Sequence, residues 1–302
     1  MNSSKAFKLP PEVIQQLTRR SDAKGLTQLA AHLFLLVLAG IALQASRDSL
    51  WLLLTLPAYS ALLIFLFAPL HETIHYTVFK RRWMNNVVAA PIGFLLLIPF
   101  QSFRVFHYVH HRHTQNPEFD PELLDMKPLI RNHYWWYLSG LPTWWQALQT
   151  IWRHATVGVS ETYIEARHHQ MVIREARIHL AGYALLLLLS LMFSSMFLWW
   201  YWILPALLGQ PLLRLYLLAE HSGCDFSANM LENSRTTYTA PWLNFLAWNM
   251  PYHAEHHYLA SVPFHALPAL HAYTGQRVKY RGDGYYQVNR DIAAHHQTRQ
   301  SE

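Results

Sequence analysis

Two uncharged apolar runs, Leu26 to Ala45 and Leu50 to Leu70, leave this chain few folds to choose from. Each supplies the ~20 apolar residues that a helix needs to cross a bilayer. A third run, Leu180 to Leu213, is also free of Asp, Glu, Lys and Arg but is too long for one crossing. With Pro205, Gly209 and Pro211 inside it, it reads as two helices meeting near Ser194 and Ser195. The stretch Val87 to Phe100 is too short to span and carries Pro91, Gly93 and Pro99, so a re-entrant or interfacial hairpin is expected there. Composition agrees: only 14% of the 302 residues are charged, against ~25% in ordinary soluble domains.

Charge sets the direction. Lys5, Lys8, Arg19, Arg20 and Lys24 precede the first run, and Lys80, Arg81 and Arg82 follow the second. The positive-inside rule therefore puts the N-terminal arm on the cytoplasmic side, and both termini with it. The net charge of +6 is accounted for by such loops on an anionic leaflet, and no nucleic-acid motif accompanies it. The aromatic segment with Trp135, Trp136, Trp144, Trp145 and Trp152 reads as a belt lying in the interface.

Three histidine clusters follow the ends of these runs. They are His71 and His75 in His-Glu-Thr-Ile-His, His107, His110 and His111 in His-Tyr-Val-His-His, and His253, His256 and His257 in His-Ala-Glu-His-His. Residues at i, i+3 and i+4 share one face of a helix, so each cluster can aim its rings into one volume. Threaded through the topology above, all three land on the cytoplasmic face. Eight imidazoles are more than one mononuclear site can use, which points to a pair of metal ions. The single cysteine, Cys224, excludes a Cys-ligated cluster. Lone histidines, namely His113, His133, His154, His168, His169, His179, His265 and His271, read as solvated or hydrogen-bonded side chains, with His113 a competitor for the second cluster. His32, inside the first span, reads as hydrogen-bonded within the bundle.

The order and spacing of these boxes, interleaved with two helical hairpins, resemble the membrane-bound fatty acid desaturase superfamily, whose members also include hydroxylases and carotenoid-modifying enzymes. The likeness covers roughly residues 50 to 275. It implies a non-haem di-iron centre of two Fe2+ ions, with O2 as co-substrate, held by His71, His75, His107, His110, His111, His253, His256 and His257. By the same resemblance His221, in Ala-Glu-His-Ser-Gly-Cys, is a further ligand. Asn249, in the lead-in to the third box, would support the centre from behind. Glu72, Glu118, Asp120, Glu220 and Glu255 read as groups that orient imidazole N–H, although direct ligation stays open.

The fold expected is all-α and integral to the membrane. Four transmembrane helices plus a re-entrant or interfacial hairpin carry a cytoplasmic helical cap with the histidine boxes. Residues 1–25 form a cytoplasmic arm, 26–275 the membrane-bound domain and 276–302 a cytoplasmic tail. The function expected is O2-dependent desaturation of a long-chain acyl lipid. Hydroxylation of an acyl lipid or carotenoid on the same centre is the alternative. A remote third reading is an intramembrane zinc protease using His71-Glu72-x-x-His75. No His-Pro-Gly-Gly haem segment, cysteine cluster or Gly-x-Gly-x-x-Gly nucleotide loop occurs, so a separate ferredoxin, rubredoxin or cytochrome b5-type donor is implied. Arg104, Arg112, Arg153, Arg167, Arg174 and Arg177 offer it a basic docking face. The lack of a fused donor domain leans toward a bacterial inner membrane.

Overall fold

Four helical stretches are long and apolar enough to cross a bilayer: Asp22–Ser46, Leu52–Ile74, Ala166–Met192 and Trp199–His221. They come from a computed structural model that describes residues 7–125 and 131–298. In chain order, α1 (Pro11–Leu17) and α2 (Asp22–Ser46) lead into α3 (Leu52–Ile64) and α4 (Phe67–Ile74), which together form the second span. Then come α5 (Arg82–Leu96), α6 (Phe100–His113), α7 (Pro121–Asp125), α8 (Arg131–Leu138) and α9 (Leu141–Thr156). The second pair of spans is α10 (Ala166–Met192) and a π-helical turn at Trp199–Ile203 running into α11 (Leu204–His221). The cap is completed by α12 (Met230–Asn233), α13 (Pro241–Leu246), α14 (His253–Tyr258), α15 (Leu267–Thr274) and α16 (Tyr285–Thr298).

The breaks fall where the apolar runs predict them, by a device the sequence hides. Three helices end in a Schellman turn, closed by a six-to-one and a five-to-two hydrogen bond, with a residue other than glycine in the left-handed position. Leu97 (φ 59°) ends α5, Ser194 (φ 46°) ends α10 and Trp248 (φ 51°) ends α13. The closing bonds run from Ile98 N to Gly93 O at 2.8 Å, Ser195 N to Ser190 O at 2.8 Å and Asn249 N to Asn244 O at 2.8 Å. A left-handed Leu or Trp costs roughly 1–2 kcal/mol, and burial of both side chains offsets it. At Leu97 the chain bends by 97° between α5 and α6. The expected hairpin is therefore present, but its second arm is the helix that carries the second box. Gly93 permits the turn, since a Cβ there would lie 2.5 Å from the Ile98 carbonyl.

In the bundle, α3 packs on α11 at the centre. Gly209 lets the two helices approach, because a Cβ would meet Ser60 O and Ile64 Cβ at 2.8 Å. This contact carries the ends of both helices, and so His71 and His221, to the same place. α9 lies across the cap with Leu141, Trp145, Leu148 and Trp152 exposed along one face, at helical spacing. Trp135 and Trp136 are exposed beside them, whereas Trp144 turns inward onto the core. Four of the five tryptophans expected to form an interfacial belt are thus exposed.

One feature departs from an all-helical fold. Residues Arg235–Tyr238 (β1) and Tyr280–Asp283 (β2) form a two-stranded parallel pair. This pair and the packing of Val288 and Ile292 against Ala219 on α11 tie the expected C-terminal tail into the cap.

Candidate metal centre

Nine histidines meet at the inner ends of α4, α6, α11 and α14, and every one belongs to the set read from the sequence. One nitrogen from each of His71, His75, His107, His111 and His256 lies within 4.8 Å of the others; a second group, His110, His221 and His257, meets the same condition. His253 joins the second group, with its Nε2 2.9 Å from that of His221. The two groups share a wall, where the rings of His111 and His257 stack at 4.0 Å. Helix periodicity explains the division: His107 and His111, four residues apart on α6, face one group, and His110, on the adjacent row, faces the other.

The protein fixes these rings from outside. His221 Nδ1 lies 3.1 Å from the Asn233 carbonyl, which only accepts, so Nδ1 carries the proton and Nε2 turns its lone pair inward. His110 Nδ1 lies 2.8 Å from Asp120 Oδ1, with the same consequence. The Nε2 atoms of His110 and His221 are 3.2 Å apart and that of His253 is 2.9 Å from His221, so three ring nitrogens converge in a buried site where a shared cation would satisfy them. In the first group His111 Nε2 is 3.0 Å from His107 Nε2 and 3.1 Å from His256 Nε2, and one N–H cannot serve both. The Nε2 atoms of His71, His75 and His257 are buried with no hydrogen-bond partner. Burial first, and neighbouring imidazoles second, hold His253, His256 and His257 well below the ordinary histidine pKa. They are therefore neutral and able to ligate near pH 7. This donor set fits two borderline metal ions.

The carboxylates divide. Asp120 orients His110 and also accepts from Gln115 N at 2.8 Å. Glu220 Oε1 lies 3.3 Å from His253 Nδ1. Glu72 is fully buried, with Oε2 accepting from Phe264 N at 2.9 Å and Oε1 3.9 Å from both His71 Nδ1 and His256 Nδ1. Two expectations are corrected. Glu118 is exposed on the loop, its amide capped by Asn116 Oδ1. Glu255 points away from the rings toward His271, 2.6 Å from its Nδ1, and accepts from Thr236 Oγ1 at 2.5 Å. The sequence reading overlooked Glu122, whose Oε2 is 3.4 Å from His110 Nε2; its place two residues after Asp120 was the available signal. It also missed Thr114 and Asn233, which act through the chain's folding rather than through any spacing.

The other histidines stay outside both groups. His113 packs on Phe119, and His154 pairs with Glu161 at 2.9 Å. His32 lies between Leu62 O at 2.9 Å and the indole N–H of Trp248 at 3.4 Å, as a bundle-facing hydrogen bond. The side chain of His133 lies outside the described residues. Asn249 makes no hydrogen bond to a histidine among the described residues: its amide donates to the Phe264 carbonyl at 3.2 Å, and so steadies the residue whose N–H holds Glu72. Of the arginines expected to form a docking face, Arg104 is committed to Ile74 O at 3.0 Å and Asn86 Oδ1 at 2.8 Å, and Arg153 to Glu161. Arg112 and Arg174 are exposed.

A cavity of about 370 Å³ opens onto the centre beside His71, His107, His110 and His253. Phe67, Phe103, Phe106, Leu97 and Ile98 line its apolar part, and α9 supplies Ala147, Thr150 and Ile151 along one side. Such a narrow, largely apolar space next to metal-binding histidines suits an alkyl chain.

Known proteins share parts of this sequence. The chain resembles sn-1 oleoyl-lipid 12-desaturases. It is 33% identical over 84 residues to that of Picosynechococcus sp. (23% of this chain, 24% of the relative). It is 22% identical over 225 residues to that of Synechocystis sp. (67% and 62%), and 27% identical over 164 residues to that of Anabaena variabilis (48% and 44%). The chain thus spans from about a quarter to about three-fifths of the length of these relatives. The fatty acid desaturase family model matches residues 48–289, which takes in every histidine of the centre, and the chain belongs to the fatty acid desaturase family.

Proposed function

We propose that this chain is an O2-dependent di-iron desaturase that introduces a double bond into the acyl chain of a lipid. The observation that carries the reading is the facing pair of His110 and His221, whose Nε2 atoms lie 3.2 Å apart, beside a cavity partly lined by Phe67, Phe103 and Phe106. Two iron ions with O2 supply the oxidant strong enough to take hydrogen from an unactivated C–H bond. The nine histidines named above are the proposed ligands, His71, His75, His107, His111 and His256 for one ion and His110, His221, His253 and His257 for the other.

The protein's own part is positional. Asp120 and the Asn233 carbonyl keep Nδ1 of His110 and His221 protonated, so their Nε2 atoms stay available. Phe67, Phe103 and Phe106 hold the methylenes against the centre and keep water out. Overall, an acyl CH2–CH2 unit, O2, two electrons and two protons give an alkene and two waters. The electrons come from a separate ferredoxin, rubredoxin or cytochrome b5-type donor, for which exposed Arg112 and Arg174 offer positive charge. The proposed setting is a bacterial inner membrane with the centre facing the cytoplasm.

Mass spectrometry of total lipids from aerated cells supplied with a compatible donor tests this. Wild type should yield acyl chains lighter by two hydrogens, and His256→Ala should not. A gain of one oxygen would make the enzyme a hydroxylase, and normal product from His256→Ala with normal iron would sink the metal assignment.

A further inference from the structure

Arg214 is a buried cation that forms no ion pair among the described residues. It sits on α11 inside a membrane-crossing stretch, 3% exposed, and lines the cavity that leads to the histidines. Its Nε and Nη1 have no hydrogen-bond partner. Tyr137 stands over the guanidinium at 6.0 Å, too far for more than a weak contact with the ring. The other arginine along this cavity is satisfied: Arg153 pairs with Glu161, to which His154 also bonds. Gln210, one turn back on the same helix, also has a buried and unpartnered Oε1, yet it could satisfy only one of five guanidinium N–H groups.

Burying an unpaired charge in this setting is expensive, and side chains that carry one within the membrane mark functional positions. A guanidinium is also a specific receptor. Its planar fork matches the two oxygens of a carboxylate and donates well to a carbonyl. Helix geometry adds a ruler: Arg214 and His221 are seven residues apart, so they lie on the same face about 10.5 Å apart along the axis. Leu217 and Leu218 line the cavity between them.

We infer that Arg214 binds the carboxyl-derived oxygens of the acyl substrate, and thereby sets which methylene lies against the metal centre. The inference rests on the desaturase reading for its substrate class. Arg214 would then be a specificity-determining residue rather than a catalytic one, since it grips the end of the chain and not the reacting carbons.

A binding assay separates this from the chemistry. The purified wild-type protein would be loaded with a fluorescent conjugated-polyene fatty acid, then titrated with an unlabelled long-chain acid, its methyl ester, the alkane of equal length and inorganic phosphate. The acid should displace the probe far better than the alkane. The ester's rank decides between a carboxylate and an ester carbonyl. In Arg214→Met the advantage of acid or ester over alkane should fall at least tenfold, with alkane displacement unchanged. Because the substitution replaces an unpaired buried charge by an apolar side chain of similar length, the melting temperature should stay the same or rise, whereas loss of a structural arginine would lower it. Should the methionine variant fail to fold, Arg214→Lys decides: it keeps the charge and loses the fork, so the preference should drop severalfold.

Equal affinities for acid and alkane in wild type, an unchanged preference in the variants, or displacement by phosphate alone would overturn the inference. Arg214-dependent acid binding without any desaturated lipid in cells would instead overturn only the desaturase reading. Where product does form, Arg214→Lys should spread the double bond over neighbouring positions.

Discussion

The two histidine groups are held in opposite ways. His110, His221 and His257 are braced by hydrogen bonds from behind: Asp120, the Asn233 carbonyl and Thr114 each meet an Nδ1. His71, His75, His107, His111 and His256 rely on each other and on packing, with Glu72 the nearest carboxylate at 3.9 Å. The difference follows from location. The first group draws two i, i+4 pairs, His71/His75 and His107/His111, from the second span and α6, where the backbone does the orienting, and adds His256 from α14. The second group gathers His110 from α6, His221 from α11 and His253 with His257 from α14, and three of these four rings have a separate brace that settles tautomer and angle. A site with five mutually crowded imidazoles should tolerate loss of an outer partner, while the braced group should not.

The most severe test removes a ligand from each group. His221→Ala should lower lipid desaturation by more than about 100-fold, beyond the loss expected from an outer partner alone. Bound iron should fall by half. His75→Ala should be equally inactive but lose iron from the other site, so Mössbauer spectra of the two variants should retain different components. If either variant keeps full iron and full product, the two-group division is wrong.

Asp120→Asn sharpens the contrast. An amide can present its NH2 to His110 Nδ1 and favour the wrong tautomer, so Nε2 would no longer be free to ligate. Activity or metal affinity should fall about 10–100-fold, with the iron loss confined to the braced group. Equal loss from both groups would mean that Asp120 acts on the fold and not on one ring.

Glu72 is the counter-test. Its Oε2 accepts from Phe264 N and Thr77 Oγ1, which a glutamine carbonyl can also do, so Glu72→Gln should retain most activity. Glu72→Ala leaves the buried Phe264 amide unpaired and should destabilise the protein by about 1–3 kcal/mol, read as a lower melting temperature in detergent. Complete inactivation by the glutamine, with iron intact, would give Glu72 a proton-transfer role and revive the metalloprotease reading of His71-Glu72-x-x-His75.

The braces also mark the limit of what the sequence discloses. The spans, the break near Ser194 and eight of the nine rings were legible because hydrophobic length and helical spacing are local properties, whereas His221 was named only through the family resemblance. So was the hairpin at Val87 to Phe100, though not its bend at Leu97, because a leucine in a left-handed turn carries no signature. Asn233, Thr114 and Glu122 reach the centre only through the path of the loops after α6 and α11. Glu255 misled for the complementary reason: it lies within the third box in sequence, yet its place on α14 turns it to His271. Arg104 misled likewise, since it is drawn inward to close the α4 C-terminus at the Ile74 carbonyl. Arg214 passed unnoticed as an ordinary charge at the end of an apolar run.

The smallest effect should come from the lightest brace. Thr114 Oγ1 donates to the His110 carbonyl at 2.7 Å and sits 3.1 Å from His257 Nδ1. With its proton given to the carbonyl, the hydroxyl accepts from Nδ1–H and leaves His257 Nε2, which has no other partner, facing the braced group. Thr114→Val keeps the shape and removes both bonds, at a cost of about 1 kcal/mol. Desaturation should therefore drop severalfold rather than by orders of magnitude, and Thr114→Ser should restore it. An equal drop in the serine variant would assign the effect to the lost methyl group. In that case His257 would be held by its stacking on His111, as the first group is, and the contrast between the two groups would narrow to His110 and His221.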